Sequence, residues 1–419
     1  MSRPRRIFQV GLFGLAAAVG YTVLVWRPVI MTALGVEPPA GWWFVDTYAL
    51  LAASDVAVLG LDPYVPNPLD LLGVPHWYSD WWFLIGHLGL TRFDVYWLGA
   101  GVVGLFLASA ILVLCPRNGS EALVAWLALC SPPVILGVNR ANADLLIFSI
   151  MALLGLALAS PRRWVWWQGP WLVALAAGLK FYPIVVGLIL VLVARPRREV
   201  WASLAVMTLL VLAVAMSVSD AIVRALPLLM SPEGFFSFGS SALFTLAGLS
   251  PPAAKWAAWM AGALVALGWL RRTPVPPAAL PGHEKMAFGL GALIVVGCFF
   301  AGVSYSYRLV FLLLMLPLLW TWSRAAGVHS GAGPARLVLG LTLPLVWIDG
   351  LACATINLGW AQLMGIPMHT VELAAGWLTH TVSWVWVGGT CGLLLALYRP
   401  AIASLLGGSP PNVEVPPCV

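Results

Sequence analysis

From Ile7 to Trp26 the chain runs for twenty residues without a charged side chain. A helix of about 20 apolar residues is what the hydrocarbon core of a bilayer requires, and such runs recur along the whole chain. They fall at 7–26, 96–114, 122–138, 143–159, 164–180, 182–194, 200–218, 253–270, 286–303, 308–322, 336–354 and 377–398. The pattern predicts about twelve transmembrane helices, with both termini on one side. Backbone polar groups in lipid are satisfied only in helices or closed barrels. The expected fold is therefore an all-α polytopic membrane protein, one domain over residues 1–419.

Composition agrees. Hydrophobic residues make up 61% of the chain and charged residues 9%, where soluble domains carry about 25% charged residues. A soluble enzyme, a disordered chain and a nucleic-acid binder are excluded. Tryptophan occurs 23 times, as expected where aromatic rings sit at a membrane–water interface. Arg3, Arg5 and Arg6 precede the first run like the flank of a signal sequence. The run is too long for one and no small-residue cleavage site follows, so it reads as an uncleaved first span.

Charge placement orients the chain. Fifteen of the 22 Lys and Arg residues fall on the side of the N-terminus; Arg27, Arg92, Arg140, Lys180, Arg224, Lys255 and Arg308 fall on the other. Positive charge accumulates on the cytoplasmic side, so both termini are expected in the cytoplasm of a cell-membrane protein. The acids run the other way, with only Glu121, Glu199, Glu284 and Glu414 inside. The net charge of +6 thus reports topology and requires no acidic partner. The longest stretch without a clean span, residues 38–94, holds six aspartates and the turn signals Asp62-Pro63, Asn67-Pro68 and Val74-Pro75. It is expected to form an ordered extracytoplasmic loop with short amphipathic helices at the interface. The six cysteines show no CxxC and no zinc-ligand spacing with the histidines, and read as small buried hydrophobes.

Ionisable groups at bilayer depth are costly, about 2.5–3.5 kcal/mol each on insertion scales, which makes them the candidates for chemistry. Four groups stand out on the outer face. Asp46-Thr47-Tyr48, after Trp42-Trp43, offers a carboxylate placed to act as a general base, or simply a helix cap. His76 and Asp80, four apart, would share a helix face and bind a polar ligand or a divalent cation, or make a local hydrogen bond on an interface helix. In Asn139-Arg140-Ala141-Asn142-Ala143-Asp144 the asparagines are spaced i, i+3 and the charges i, i+4, which suits either ligand contact or a capped helix with an internal salt bridge. Lys180, before Phe181-Tyr182-Pro183, and Arg308, after Tyr305-Ser306-Tyr307, suit phosphate binding, with the phenols adding hydrogen bonds, or snorkelling to the interface. Asp349 stands alone in a span; its partner is open between a buried donor such as Arg308 and a backbone group.

Four segments carry a family resemblance: Asp46-Thr47-Tyr48 with Gly60-Leu-Asp-Pro-Tyr64, Asn139 to Phe148, Gly178-Leu-Lys-Phe-Tyr-Pro183 with its trailing Arg195-Pro-Arg-Arg198, and Tyr305-Ser-Tyr-Arg-Leu-Val-Phe311. The chain resembles a GT-C membrane glycosyltransferase of the family-87 kind, a group that includes bacterial polyprenyl-phosphate-mannose-dependent mannosyltransferases. The resemblance implies a GT-C-like fold with a catalytic acid in the first outer loop. It also implies a polyprenyl-phosphate-linked sugar, such as mannose, as donor, and a glycan or glycolipid acceptor in the cell envelope. Asp46 takes the general-base position of an inverting transfer. Lys180 belongs to the matched segment facing the donor. By their charge and position Lys180 and Arg308, with Arg140 a weaker candidate, are expected to bind the donor phosphate, and Tyr48, His76, Asp80, Asn139, Asn142, Tyr182, Tyr305 and Tyr307 are candidate substrate contacts. No cofactor is needed and a divalent metal is optional. Many relatives carry Tyr-Pro-Pro in the first loop where this chain has His76 to Trp82, which leaves the sugar and the acceptor open. The rival reading is a transporter or lipid flippase, but no internal repeat is visible and the charges sit at span ends, unlike the polar or broken mid-membrane helices of transporters. A non-catalytic scaffold is the third reading.

Overall fold

A computed structural model describes residues 11, 13–14, 28–37, 41–192, 197–225, 234–271, 276–277, 280–325 and 332–405. Most of the expected first span, 7–26, lies outside them. The principal helices are α1 (Pro28–Ala33), α2 (Val45–Val58), α3 (Val95–Leu114), α4 (Gly119–Leu129), α5 (Pro132–Arg140), α6 (Ala143–Ala159), α7 (Gln168–Leu179), α8 (Arg197–Ser217), α9 (Pro251–Arg271), α10 (Gly282–Ala301), α11 (Leu316–Ser323), α12 (Ala332–Asn357) and α13 (Met368–Leu405). Two 3-10 segments, Tyr182–Gly187 and Ser306–Leu314, interrupt them, and two short strands, β1 (Ser237–Phe238) and β2 (Ser304–Tyr305), pair antiparallel.

Among the described residues six helices are long and apolar enough to cross a membrane, or eight if two bent pairs each count as one span. The protein is a multi-pass membrane protein whose long described helices fall on the apolar runs, but α2 lies outside them and several runs are broken. The run 122–138 bends by 52° between α4 and α5. There Ser131 is extended because Pro132 disfavours a helical conformation in the residue before it. The run 308–322 bends by 55° where the 3-10 segment meets α11 and Pro317. The runs 164–180 and 182–194 become the twelve-residue α7, about 18 Å long, then a 3-10 segment and a five-residue helix, Leu188–Leu192.

The core is aromatic and aliphatic. Phe106 of α3, Phe148 of α6 and Phe311 are fully buried in one cluster, with Phe106–Phe148 and Phe148–Phe311 ring centroids 5.1 and 6.3 Å apart. The segment from Gly41 to Asp94 is packed against this body, where the sequence suggested interfacial helices. Nine of the fourteen α2 residues are buried, and Trp82 donates its indole N–H to Leu179 O at 3.0 Å. Gly178 lies so close beneath Trp81 that a Cβ there would meet the indole ring at 2.3 Å, which fixes the end of α7 under the loop.

Candidate active site

Two helix ends create the site. Helix α5 stops at Ala141, held in the left-handed region at φ 43°, and α6 starts one residue later with Asn142 as its cap, accepting the Asp144 N–H at 2.9 Å. Residues Asn139 to Asp144 therefore straddle a break. Helix α2 begins against it: Phe44 N–H donates to Asn139 O at 2.7 Å, and Thr47 Oγ1 donates to Ala141 O at 2.8 Å. Asp46, in the first turn of α2, is thereby carried to the end of α5.

Asp46 is only 8% exposed and is held from two sides. Arg140 shares its Nε–H between the two oxygens at 3.0 and 3.1 Å and brings Nη2 within 2.7 Å of Oδ1 in the same ion pair, while Asn142 Nδ2 donates to Oδ2. A carboxylate has about four lone-pair sites. These three hydrogen bonds leave room for one more donor. The Asn142 amide orientation is set by its neighbours, because Oδ1 also accepts from Lys180 Nζ at 3.1 Å. Lys180 closes an ion pair with Asp144, whose Oδ1 accepts the Tyr182 hydroxyl at 2.8 Å. The Lys180 ammonium lies 5.2, 5.7 and 5.9 Å from the ring centroids of Tyr78, Tyr307 and Tyr182, within cation–π range.

Arg308 completes the group. Its guanidinium stacks 5.0 Å above Tyr182 and contacts Cys298. Among the described residues it makes no ion pair, and its Nε is buried without a hydrogen-bond partner, as is Asp144 Oδ2. Among the described residues this bonded network thus holds two carboxylates, Asp46 and Asp144, against three cations, Arg140, Lys180 and Arg308, a surplus of one positive charge; Asp70, nearby, lies outside it and accepts the Leu72 and Val74 N–H groups. An uncompensated buried charge is strongly unfavourable, so the surplus suits an anionic occupant.

Two recesses flank the start of α2. One, of about 60 Å³, is lined by Asp46, Asp70, His76, Tyr78 and Arg140 among others. The second, of about 330 Å³, is apolar and runs from Thr47 and Ala141 past Leu50 and Trp97 to Leu105 on the exposed side of α3. In the first, burial pushes His76 down to about 4, which keeps it neutral, and burial raises the Asp70 carboxyl.

The structure changes several sequence expectations. Arg140 is expected at the donor phosphate, but its guanidinium is engaged by Asp46. The i, i+4 salt bridge between Arg140 and Asp144 does not form, because the left-handed Ala141 breaks the helix between them. Each charge pairs instead with a residue distant in sequence. His76 and Asp80 share no helix face: His76 lies in a loop with Nε2 3.3 Å from Ser79 O, and Asp80 opens a 3-10 turn and accepts the Tyr64 hydroxyl. Tyr48 turns away to donate to Leu69 O at 3.1 Å. Asn139 donates to Val36 O at 2.6 Å. Tyr305 is 41% exposed and stacks on Tyr307 at 5.4 Å. Asp349 binds a backbone group and a threonine rather than Arg308. Sequence reasoning missed Tyr78 over Lys180 and Cys298 beside Arg308. It named Asp144 only as a partner for Arg140. Among the described residues no group of three or more His, Cys, Asp or Glu side chains is placed to hold a metal.

Comparison with known proteins bears on this arrangement. Residues 79–229 match the model of glycosyltransferase family 87. No curated protein matches. Among solved structures, ArnT from Cupriavidus metallidurans bound to undecaprenyl phosphate is similar at 13% identity and a TM-score of 0.38, over 95% of this chain and 79% of that one. The same protein in its apo state gives 14% and 0.37 over 93% and 80%. Similarity of that degree sets no residue-level correspondence. The family match includes Arg140, Asn142, Asp144 and Lys180 but not Asp46 or Arg308. The chain is a multi-pass membrane protein whose residues 79–229 are similar to glycosyltransferase family 87.

Proposed function

We propose that the protein transfers a sugar from a polyprenyl-phosphate-linked donor to an extracytoplasmic glycan or glycolipid, with inversion, using Asp46 as general base. The observation that carries this reading is the buried cluster itself: a carboxylate fixed by Arg140 and Asn142 with one acceptor position left, linked through Asn142, Lys180, Asp144 and Tyr182 to the surplus cation Arg308. In the reaction the acceptor hydroxyl gives its proton to Asp46 as its oxygen bonds to the anomeric carbon. The bond from that carbon to the phosphate oxygen breaks, and its electron pair leaves with the polyprenyl phosphate. A phosphodiester donor carries one negative charge, which the surplus cation matches. The charge gained by the leaving phosphate is stabilised by Arg308, with Lys180 held beside it. Arg140 orients the base. The 60 Å³ recess, which admits the edge of a sugar, supports an acceptor hydroxyl reaching Asp46. The apolar recess opening at Leu105 offers an isoprenoid chain a path to the bilayer.

The direct test is transfer of label from a radiolabelled polyprenyl-phosphate sugar by the purified protein in nanodiscs, with Asp46→Asn as the control. Movement of intact donor between liposome compartments without consumption would instead support a transporter. The excess of Lys and Arg on the N-terminal side supports an extracytoplasmic site. In a cysteine-free background, an impermeant thiol reagent on intact cells is expected to label Leu72→Cys, in the outer loop, and to spare Arg163→Cys; both positions are exposed. The reverse pattern would invert the orientation.

A further inference from the structure

Asp349 is a carboxylate in the middle of α12 with no cation partner among the described residues, a costly choice within an apolar span. Its two oxygens serve different elements. Oδ1 accepts the Thr379 hydroxyl of α13 at 2.6 Å, and Oδ2 accepts the Phe236 N–H at 2.9 Å. Phe236 sits in the left-handed region at φ 62°, which bulky side chains seldom adopt. The other face of the same residue is also held: Phe236 O accepts the Ser306 N–H at 2.7 Å. The chain then runs into β1, where Ser237 pairs with Tyr305 and Phe238 with Ser304, and Ser304 Oγ donates to Phe238 O at 3.1 Å. A single strained residue therefore connects Asp349 to Ser306. Arg308 lies two residues further along the 3-10 segment that Ser306 begins.

We propose that Asp349 is a positioning residue: by holding the Phe236 turn it sets the Ser304–Arg308 segment, and so aims the Arg308 guanidinium at the donor phosphate. This rests on the reading of Arg308 as the phosphate-binding cation. Without the carboxylate, the Phe236 N–H loses its acceptor and the left-handed turn relaxes. The strand pairing and the Arg308 side chain then lose their common anchor. Thr379 acts from α13 by fixing the carboxylate.

The test is steady-state transfer with varied donor in nanodisc-reconstituted protein. Asp349→Ala is expected to raise the donor KM about tenfold with kcat changed by less than about threefold, the scale of one lost hydrogen bond. Asp349→Asn keeps an oxygen for Phe236 and an amide for the Thr379 hydroxyl, and should restore a near-wild-type KM. In an Arg308→Ala background, Asp349→Ala should add nothing, because both changes act through one cation. Should Asp349→Ala fail to fold, Thr379→Val reads the same link, with a donor KM raised about threefold. If Arg308→Ala raises the donor KM and neither Asp349→Ala nor Thr379→Val does, Asp349 is overturned as a positioning residue. If Arg308→Ala itself leaves the donor KM unchanged, the phosphate reading fails and this inference fails with it.

Discussion

Two buried charge networks lie at opposite ends of the α4–α5 pair, and they are finished differently. At the start of α4, Glu121 accepts the Arg117 N–H at 2.7 Å and pairs with Arg324, while Glu284 accepts Arg117 Nη2 at 2.8 Å and the Thr321 hydroxyl at 2.7 Å. Two carboxylates meet two guanidiniums, and neither acid has an oxygen left without a partner. At the end of α5, two carboxylates meet three cations, and Asp144 Oδ2 and Arg308 Nε are left over. Burial is similar, since Glu121 and Asp144 are each 1% exposed. The first network joins α4, α10 and α11 and needs nothing else. The second carries unsatisfied groups and a net charge at a break in the helices, which is where a ligand, rather than the fold, would complete the pairing.

That contrast can be broken in order of expected effect. Asp46→Asn keeps the shape of the outer network but removes its base, so turnover should fall about 10²–10⁴-fold while donor affinity is retained; single-turnover transfer with matched donor binding checks it. Near-wild-type turnover in folded protein would remove Asp46 from the role. The inner network should answer in stability alone. Glu121→Gln removes a buried charge shared by two half-exposed arginines, and a loss of about 1–3 kcal/mol is expected, read as a lower unfolding midpoint with an unchanged donor KM. A raised donor KM would show that the two networks are coupled.

The smallest effect concerns the outer loop. Burial holds His76 at about 4, below its ordinary 6.5, so the unfolded chain takes up a proton before the folded one. Stability from this residue is complete above about pH 6.5 and falls as the pH drops towards 4. Thermal midpoints measured at pH 7 and pH 5 should show a decline that His76→Phe reduces. An identical pH dependence in that variant would show that His76 does not contribute.

Much of this was visible in the sequence because charge is scarce in it. Lys180 and Arg308 stand out as ionisable groups at the ends of apolar runs and Asp46 as the first acid of the loop after the first run, and most of the described runs hold helices. What the spacing conceals is backbone geometry. One left-handed residue, Ala141, turns an apparent helical i, i+4 pair into two long-range ones, Arg140 to Asp46 and Asp144 to Lys180, 94 and 36 residues apart. His76 and Asp80 mislead for the same reason, since a turn rather than a helix lies between them. The breaks at Pro132 and Pro317 fall inside runs that hydropathy alone reads as continuous. That Arg308 has no carboxylate partner among the described residues is a tertiary fact, invisible until Asp144 is seen to be occupied by Lys180.

The surplus cation of the Asp46–Asp144 network is expected to receive the donor phosphate. The most direct test is equilibrium binding of polyprenyl phosphate to the wild type, Arg308→Ala and Glu121→Gln in nanodiscs. Arg308→Ala should lose about 2–5 kcal/mol of affinity, the cost of removing one partner of a buried charge pair, and Glu121→Gln should bind as the wild type does. Equal affinity for wild type and Arg308→Ala would contradict the account and place the phosphate elsewhere.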